Sequence, residues 1–180
     1  FDVSIVEDTH DVAALALQGP TSCAVLKKLG LAGIENLAPF GIAWFEQKKD
    51  TEGSISFVRH MIADDFTANN AGGVTFSQPH GSTCADMDGD EIPDFVVGKR
   101  YYSHQESTTD PDPYGAPVLY VYRTVRNASA PGGAEFVPEL IHNRSGVGSQ
   151  LQTADLNGDG AVDILTATDR GTFIFWGLRR

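Results

Sequence analysis

Two short acidic segments hold the residues whose types and spacing suit metal chemistry. Each segment places oxygen-bearing side chains at its positions 1, 3, 5 and 9, and an apolar run rich in β-favouring residues follows at once. The side chains are Asp86, Asp88, Asp90 and Asp94 in the first segment, and Asp155, Asn157, Asp159 and Asp163 in the second. Carboxylates that converge on one small loop repel one another unless a cation lies among them. We therefore expect a cation in each loop.

Calcium suits this donor set, because Ca²⁺ takes about six to eight hard oxygen ligands and tolerates irregular geometry. The backbone carbonyl at position 7, from Ile92 or Ala161, supplies a further oxygen in loops of this spacing. Neither loop is an EF-hand, because its twelfth position holds Val97 or Thr166 where a bidentate Glu is required. Glu91 stands where the turn favours Gly in a left-handed conformation. The alternative for each loop is a solvated turn, since Asp, Asn and Gly are common turn residues.

Composition excludes several function classes. The chain has 180 residues, which is enough for one domain with a core or for two small units. A net charge of -11 argues against nucleic-acid binding, which needs a basic surface. No apolar run is long enough for a membrane span. Cys23 and Cys84 lie in segments of different character, so no disulfide framework is expected. The chain starts at Phe1 without a signal peptide, which suggests a fragment of a longer protein.

The character of the sequence changes near Gly41. Residues 1–41 read as a short α/β segment, with a strand over residues 2–6 and a helix from Pro20 that ends at Gly30. Residues 42–180 read as short strands separated by turns. The predicted strands are Ile42–Glu46, Ile55–Ile62, Phe95–Gly98, Val118–Arg123, Phe136–His142, Asp163–Ala167 and Thr172–Trp176.

An internal repeat runs through the β-rich region. Ser56–Ile62 parallels Glu135–Ile141, and three aromatic strands match one another at Ile42–Phe45, Leu119–Tyr122 and Phe173–Trp176. The order is acidic loop, apolar strand, aromatic strand and Phe-Val strand, and then the next acidic loop. Recurrent four-strand units of this kind are typical of the blades of a β-propeller.

The stretch from Ile42 to Trp176 resembles the FG-GAP/VCBS repeat family, whose blades carry calcium-binding, Asp-rich loops. Beyond the loops, the likeness rests on His80-Gly81, Val96–Arg100 and Ser145–Gln150. It implies a mainly β fold, a partial β-propeller of about two blades. It further implies a non-catalytic module, secreted to the extracellular space or the cell envelope, that binds a protein or carbohydrate partner. Because closed propellers use about four to eight blades, we expect a longer chain or an oligomer.

The first 41 residues resemble another family, the folate-dependent aminomethyltransferases that include the glycine-cleavage T-protein. The likeness rests on Val12–Pro20, Val25-Leu26 and Leu37–Phe40. No catalytic residue is carried over, because the acidic residues and the arginine with which that family holds folate would lie in segments that this chain lacks. A folate-dependent enzyme fragment is therefore the second functional hypothesis.

A third hypothesis is an enzyme that uses the propeller as the platform of a sugar-binding active site. It rests on the polar, Pro-rich and aromatic insertion Tyr101–Pro117, which interrupts the first full repeat. Aromatic strand residues could line a sugar surface, but aromatic residues on propeller strands more often form the core between blades. No general acid–base pair can be named, which favours the non-catalytic reading.

Overall fold

The computed structural model describes residues 27–28, 41–63, 70–101, 110 and 112–179. Nine β-strands run through these residues: β1 Ile42–Lys49, β2 Ile55–Ala63, β3 Pro79–Ala85, β4 Asp94–Lys99, β5 Leu119–Arg126, β6 Ala134–His142, β7 Leu151–Ala154, β8 Asp163–Thr168 and β9 Gly171–Phe175. In the α/β segment predicted over residues 1–41, the described residues are Lys27 and Lys28, which are helical, and Gly41. The rest of that prediction lies outside the described residues.

The strands form three antiparallel sheets. β1 and β2 make a hairpin, β3 to β6 make a four-stranded sheet in chain order, and β7 to β9 make a three-stranded sheet in chain order. Within the described ranges each sheet stays open, with two edge strands. The prediction of a mainly β fold is confirmed.

Each strand predicted between residues 42 and 180 corresponds to an observed strand, but β3 and β7 were missed. Both are mostly small or polar and lack apolar alternation: β3 reads Pro-His-Gly-Ser-Thr-Cys-Ala, and β7 reads Leu-Gln-Thr-Ala. Their pairing with β4 and β8 makes them strands. Because each of them leads directly into an acidic loop, both loops are turns between two antiparallel strands.

The hairpins β1–β2 and β5–β6 have the same pairing register. Phe57 pairs with Gln47, Phe136 pairs with Thr124, and in both hairpins the register shifts after the first residue of the leading strand. The match of Ser56–Ile62 to Glu135–Ile141 made from the sequence agrees with this register.

The match of the third aromatic strand was wrong by one residue. Tyr122 pairs with Phe95 and Phe175 pairs with Ile164, while Phe95 and Ile164 each follow position 9 of a loop. Tyr122 therefore corresponds to Phe175, whereas the repeat match made from the sequence aligns Tyr122 with Trp176. A shift of one residue turns a strand side chain to the other face of the sheet. Accordingly Tyr122 is fully buried, whereas Trp176 is 55% exposed.

The four-stranded sheet lies between the hairpin and the three-stranded sheet. It can pack on both sides because successive residues of a strand point to opposite faces of the sheet. On β4, Val96 joins a cluster shared with the three-stranded sheet, and Val97 joins a cluster shared with the hairpin. The first cluster is completed by Leu119, Val121, Val147, Leu151 and Ile164, and the second by Ile42, Ile62, Ala63 and Tyr122. Two apolar layers thus hold the three sheets in sequence.

The four-stranded and three-stranded sheets meet closely beside β3. The backbone N–H of Gly81 donates to the carbonyl of Gly148 at 3.1 Å, and that of Val147 donates to the carbonyl of Lys99 at 3.0 Å. A Cβ atom at Gly81 would lie 2.9 Å from the Gly148 oxygen, so this approach requires glycine.

Candidate metal centre

The carboxylate at position 1 organises each acidic loop. Asp86 Oδ1 accepts backbone N–H groups from Gly89 at 2.7 Å and Asp90 at 3.1 Å, and its Oδ2 accepts that of Glu91 at 2.9 Å. Asp155 accepts the corresponding three N–H groups at 2.7, 3.1 and 2.8 Å. The two loops therefore share one backbone fold, in which N–H groups turn inward onto a carboxylate.

Position 9 ties each loop to its sheet. Asp94 and Asp163 are 1% and 0% exposed. Asp94 accepts N–H groups from Met87 at 3.0 Å and from Thr124, on the third strand of its sheet, at 2.8 Å. Asp163 accepts the N–H of Leu156 at 2.8 Å and that of Gly177, just after β9, at 2.8 Å. Each buried carboxylate thus joins the loop and the strand after it to the next strand or to the residues just beyond that strand.

Position 6 has a left-handed backbone in both loops. Glu91 has φ +66° and Gly160 has φ +83°. The prediction that Glu91 occupies a glycine-favouring position is confirmed. The left-handed conformation strains a residue that carries a Cβ atom, so the first loop bears a conformational cost that the second avoids.

Position 5 closes the turn in the same way in both loops. Asp90 Oδ1 accepts the N–H of Ile92 at 2.8 Å, and Asp159 Oδ1 accepts the N–H of Ala161 at 2.8 Å. Ile92 and Ala161 are half-buried at position 7. The predicted ligand residues at positions 5 and 7 are therefore joined directly in both loops.

Position 3 distinguishes the two loops. In the first loop, Asp86, Asp88 and Asp94 each bring one carboxylate oxygen within 4.8 Å of the others. In the second loop, Asn157 donates its amide to Asp159 Oδ2 at 2.9 Å and accepts the Asp159 N–H at 2.9 Å. The second loop therefore satisfies its central polar groups internally, whereas the first gathers three carboxylates.

The pKa shifts in the two loops fall at different positions, at position 9 in the first loop and at position 5 in the second. Burial raises the pKa of Asp94, and the negative charges of Asp88 and Asp90 raise it further against the opposing N–H groups of Thr124 and Met87. The N–H of Ala161 and the amide of Asn157 lower the pKa of Asp159. The raised pKa of Asp94 reflects its burial and the negative charges beside it, and a bound cation would offset both effects.

The donor set fits a hard cation. The side chains at positions 1, 3, 5 and 9 offer carboxylate or amide oxygens, and position 7 offers a carbonyl oxygen. Oxygen ligands of this kind select Ca²⁺, Mg²⁺ or Mn²⁺ over the metals that prefer imidazole or thiolate. Calcium, which the sequence predicts, tolerates the irregular arrangement of a turn better than Mg²⁺ does.

A second charged cluster lies at the other end of β4 and was missed by the sequence analysis. Lys99 is 1% exposed, and its Nζ atom donates to the Ser77 hydroxyl and to the Asp112 carbonyl, the latter at 2.6 Å. The Asp110 carboxylate, also buried, has Oδ2 3.9 Å from the same nitrogen. Desolvation lowers the pKa of Lys99, and the negative charges of Asp110 and Asp112 oppose that effect. The cluster fixes the end of the insertion to the sheet.

The aromatic residues divide between core and cleft. Tyr122 is buried between the hairpin and the four-stranded sheet, as expected for a core position. Trp44 stacks on His60 with ring centroids 4.4 Å apart. Trp44, His60 and Phe136 line a cleft of about 530 Å³ between the hairpin and β6. The wall of this cleft is aromatic, as the sugar-binding alternative requires.

No family model, curated protein or solved structure matches this chain. Among the described residues, no helix has the length and apolar character needed to cross a membrane.

Proposed function

We propose that this protein is a calcium-stabilised repeat module of the FG-GAP/VCBS type, and that its sheets are parts of successive propeller blades. On this proposal, the hairpin β1–β2 supplies the last two strands of one blade. The four-stranded sheet is a complete blade, and β7 to β9 are the first three strands of the next. The shared register of β1–β2 and β5–β6 supports this assignment.

The observation that carries the proposal is the hydrogen-bond scheme common to the two acidic loops. Each loop joins the first and second strands of its sheet, and each position-9 carboxylate reaches the third strand or the residues just after it. A cation bound at the loop would neutralise the converging oxygens and couple ion binding to the docking of three strands. Its role is structural.

The partner belongs to the same proposal. The FG-GAP/VCBS resemblance favours a protein or carbohydrate ligand bound outside the cytoplasm, with no catalytic step. The enzyme alternative would place a sugar in the cleft beside Trp44 and His60. The folate-dependent alternative depends on residues 1–41, and folate binding by the chain would favour it over the repeat module.

The test is thermal unfolding of metal-stripped protein, with millimolar Ca²⁺ and with excess chelator. We expect calcium to raise Tm, because a ligand that binds only the folded state stabilises that state by mass action. Asp88→Asn removes the negative charge from a predicted ligand that faces the other carboxylates, so it should reduce the calcium-dependent rise and leave Tm in chelator nearly unchanged.

Glu52→Gln is the matched control, because Glu52 lies in the exposed β1–β2 turn and the substitution makes the same change of charge. It should keep the full calcium response. Equal melting shifts for Asp88→Asn in calcium and in chelator would overturn the structural role of the ion. If calcium leaves the wild-type Tm unchanged, both loops are ordinary acidic turns.

A further inference from the structure

Arg123, on β5, lies between the first acidic loop and the neighbouring strand. Its Nη1 atom is 3.8 Å from Asp88 Oδ2, and its Nε atom is 3.6 Å from Glu139 Oε2 on β6. The side chain of Arg123 is 41% exposed and that of Asp88 is 37% exposed. The guanidinium thus has one carboxylate inside the loop and another outside it.

The second loop also has an arginine close by, but from a different position in its sheet. Arg179 Nη2 donates to the carbonyl of Gly160 at 3.3 Å. Arg123 follows Tyr122 directly, whereas Arg179 lies four residues after Phe175, which corresponds to Tyr122. Arginines at non-corresponding positions therefore reach corresponding loops, so the general strand pattern does not account for their placement.

Arg123 lies beside the loop in which the carboxylates of Asp86, Asp88 and Asp94 converge. A guanidinium beside Asp88 lowers the repulsion among these carboxylates when no ion is bound. The same charge repels an incoming divalent cation, and it competes for an oxygen that the cation needs.

We propose that Arg123 is a tethered counter-cation that sets the calcium affinity of the first loop. This inference rests on the proposed calcium function. Without metal, Arg123 neutralises Asp88, and when calcium binds Asp88 the guanidinium remains with Glu139. Arg123 therefore lowers the affinity of the first loop and reduces the loop's need for calcium.

Removal of Arg123 should tighten calcium binding. Because a unit charge about 4 to 6 Å from a divalent ion contributes on the order of a tenfold change in affinity at low ionic strength, we expect Arg123→Gln to bind calcium about fivefold more tightly. The gain should shrink as salt is added, since exposed charges are screened. Glu139→Gln should have the opposite effect, because Arg123 then has Asp88 as its remaining partner.

The experiment is calorimetric titration of calcium alone into metal-stripped protein at low salt. The parent protein for this experiment is Asp159→Asn, and every variant carries this substitution as well. It weakens calcium binding by the second loop and keeps one oxygen to accept the Ala161 N–H. Arg126→Gln is the matched control, because it removes the same charge from the exposed end of β5. Its calcium affinity should stay within twofold of the parent (about a 0.4 kcal/mol difference).

The outcomes separate the two proposals. Tighter binding by Arg123→Gln and unchanged binding by Arg126→Gln support the tethered counter-cation. Calcium binding by the parent with equal or weaker binding by Arg123→Gln overturns it and leaves the calcium function standing. Equal tightening by both arginine variants also overturns it, because the effect is then one of net charge. If neither the parent nor the wild type binds calcium, both proposals fail.

Discussion

The carboxylate of Asp94 accepts the backbone N–H of Thr124 at 2.8 Å, across a separation of thirty residues in sequence. Thr124 in turn donates its hydroxyl to the carbonyl of Pro93 at 2.8 Å. The first acidic loop is thereby fixed to the third strand of its sheet at two adjacent points. The loop is consequently part of the sheet's own bonding, whether or not an ion is bound.

Asp94→Asn should destabilise the protein even without metal. An amide group in place of one carboxylate oxygen would set a donor against a backbone N–H of Met87 or Thr124. A buried group left without its hydrogen bond costs about 1–3 kcal/mol in the free energy of unfolding. Urea unfolding in metal-free buffer measures this loss. Asp88→Asn serves as the control, because the side chain of Asp88 is exposed. An equal loss in both variants would contradict the role of Asp94 as a buried anchor.

The pH dependence of Asp94 should follow the direction of its pKa. Because burial raises the folded-state pKa above the usual 3.8, the folded protein holds the Asp94 proton more tightly than the unfolded chain does. The stabilisation from that proton is fully present below the unfolded value and is lost as the pH rises through the folded value. In metal-free buffer the stability of wild type relative to Asp94→Asn should therefore fall as the pH is raised from below 3.8 towards neutral. A constant difference across this range would contradict the effect.

Glu91→Gly should stabilise the first loop. The left-handed backbone at φ +66° costs a residue with a Cβ atom about 1–2 kcal/mol, and glycine avoids this cost. Because glycine is more flexible in the unfolded chain, the substitution also lowers stability by about 0.5–1 kcal/mol. We expect a net increase of about 0.5–1 kcal/mol in the free energy of unfolding, measured by urea denaturation in chelator.

Glu91→Gln separates backbone strain from charge, because it removes the carboxylate and keeps the Cβ atom. Gly160→Ala makes the reverse change at the corresponding position, φ +83°, and should lower stability. If Glu91→Gln stabilises as much as Glu91→Gly, the gain comes from charge, and the conformational explanation is wrong.

Lys99→Met should be strongly destabilising, because it leaves the buried Asp110 carboxylate without its cation. Removal of one partner of a buried ion pair costs about 3–5 kcal/mol. Lys99→Met combined with Asp110→Asn should recover part of that loss, since no buried charge then remains. A double-mutant cycle of unfolding free energies measures the coupling. Additive effects of the two substitutions would show that the 3.9 Å pair carries no interaction.

The open edge of β9 should promote self-association. Within the described residues β9 pairs with β8 on one side, and its Ile174 is 44% exposed. Unpaired strand edges recruit further strands, and a lysine on the edge opposes this. Sedimentation should therefore detect concentration-dependent association that Ile174→Lys reduces. Val125→Lys is the control, because Val125 is 41% exposed on β5, a strand with neighbours on both sides. Equal effects would assign the association to general hydrophobicity.

The strands that the sequence predicted carry their own local pattern. β4, β5 and β8 are runs of apolar and β-branched residues, and such runs favour extended structure wherever they occur. β3 and β7 carry no such pattern and become strands by pairing with β4 and β8. The charged groups that were missed have the same explanation. Lys99 meets Asp110, and Arg123 meets Asp88, only after distant segments are brought together.

The sequence by itself determined the mainly β class, the position of both acidic loops and the left-handed turn at Glu91. These features depend on residue types within a few positions of one another, and local backbone geometry follows from such spacing. Tertiary structure decided that Tyr122 matches Phe175 and that Thr124 and Gly177 complete the two loops. Register and long-range contacts depend on how whole sheets pack, because a slip of one residue reverses every side chain of a strand.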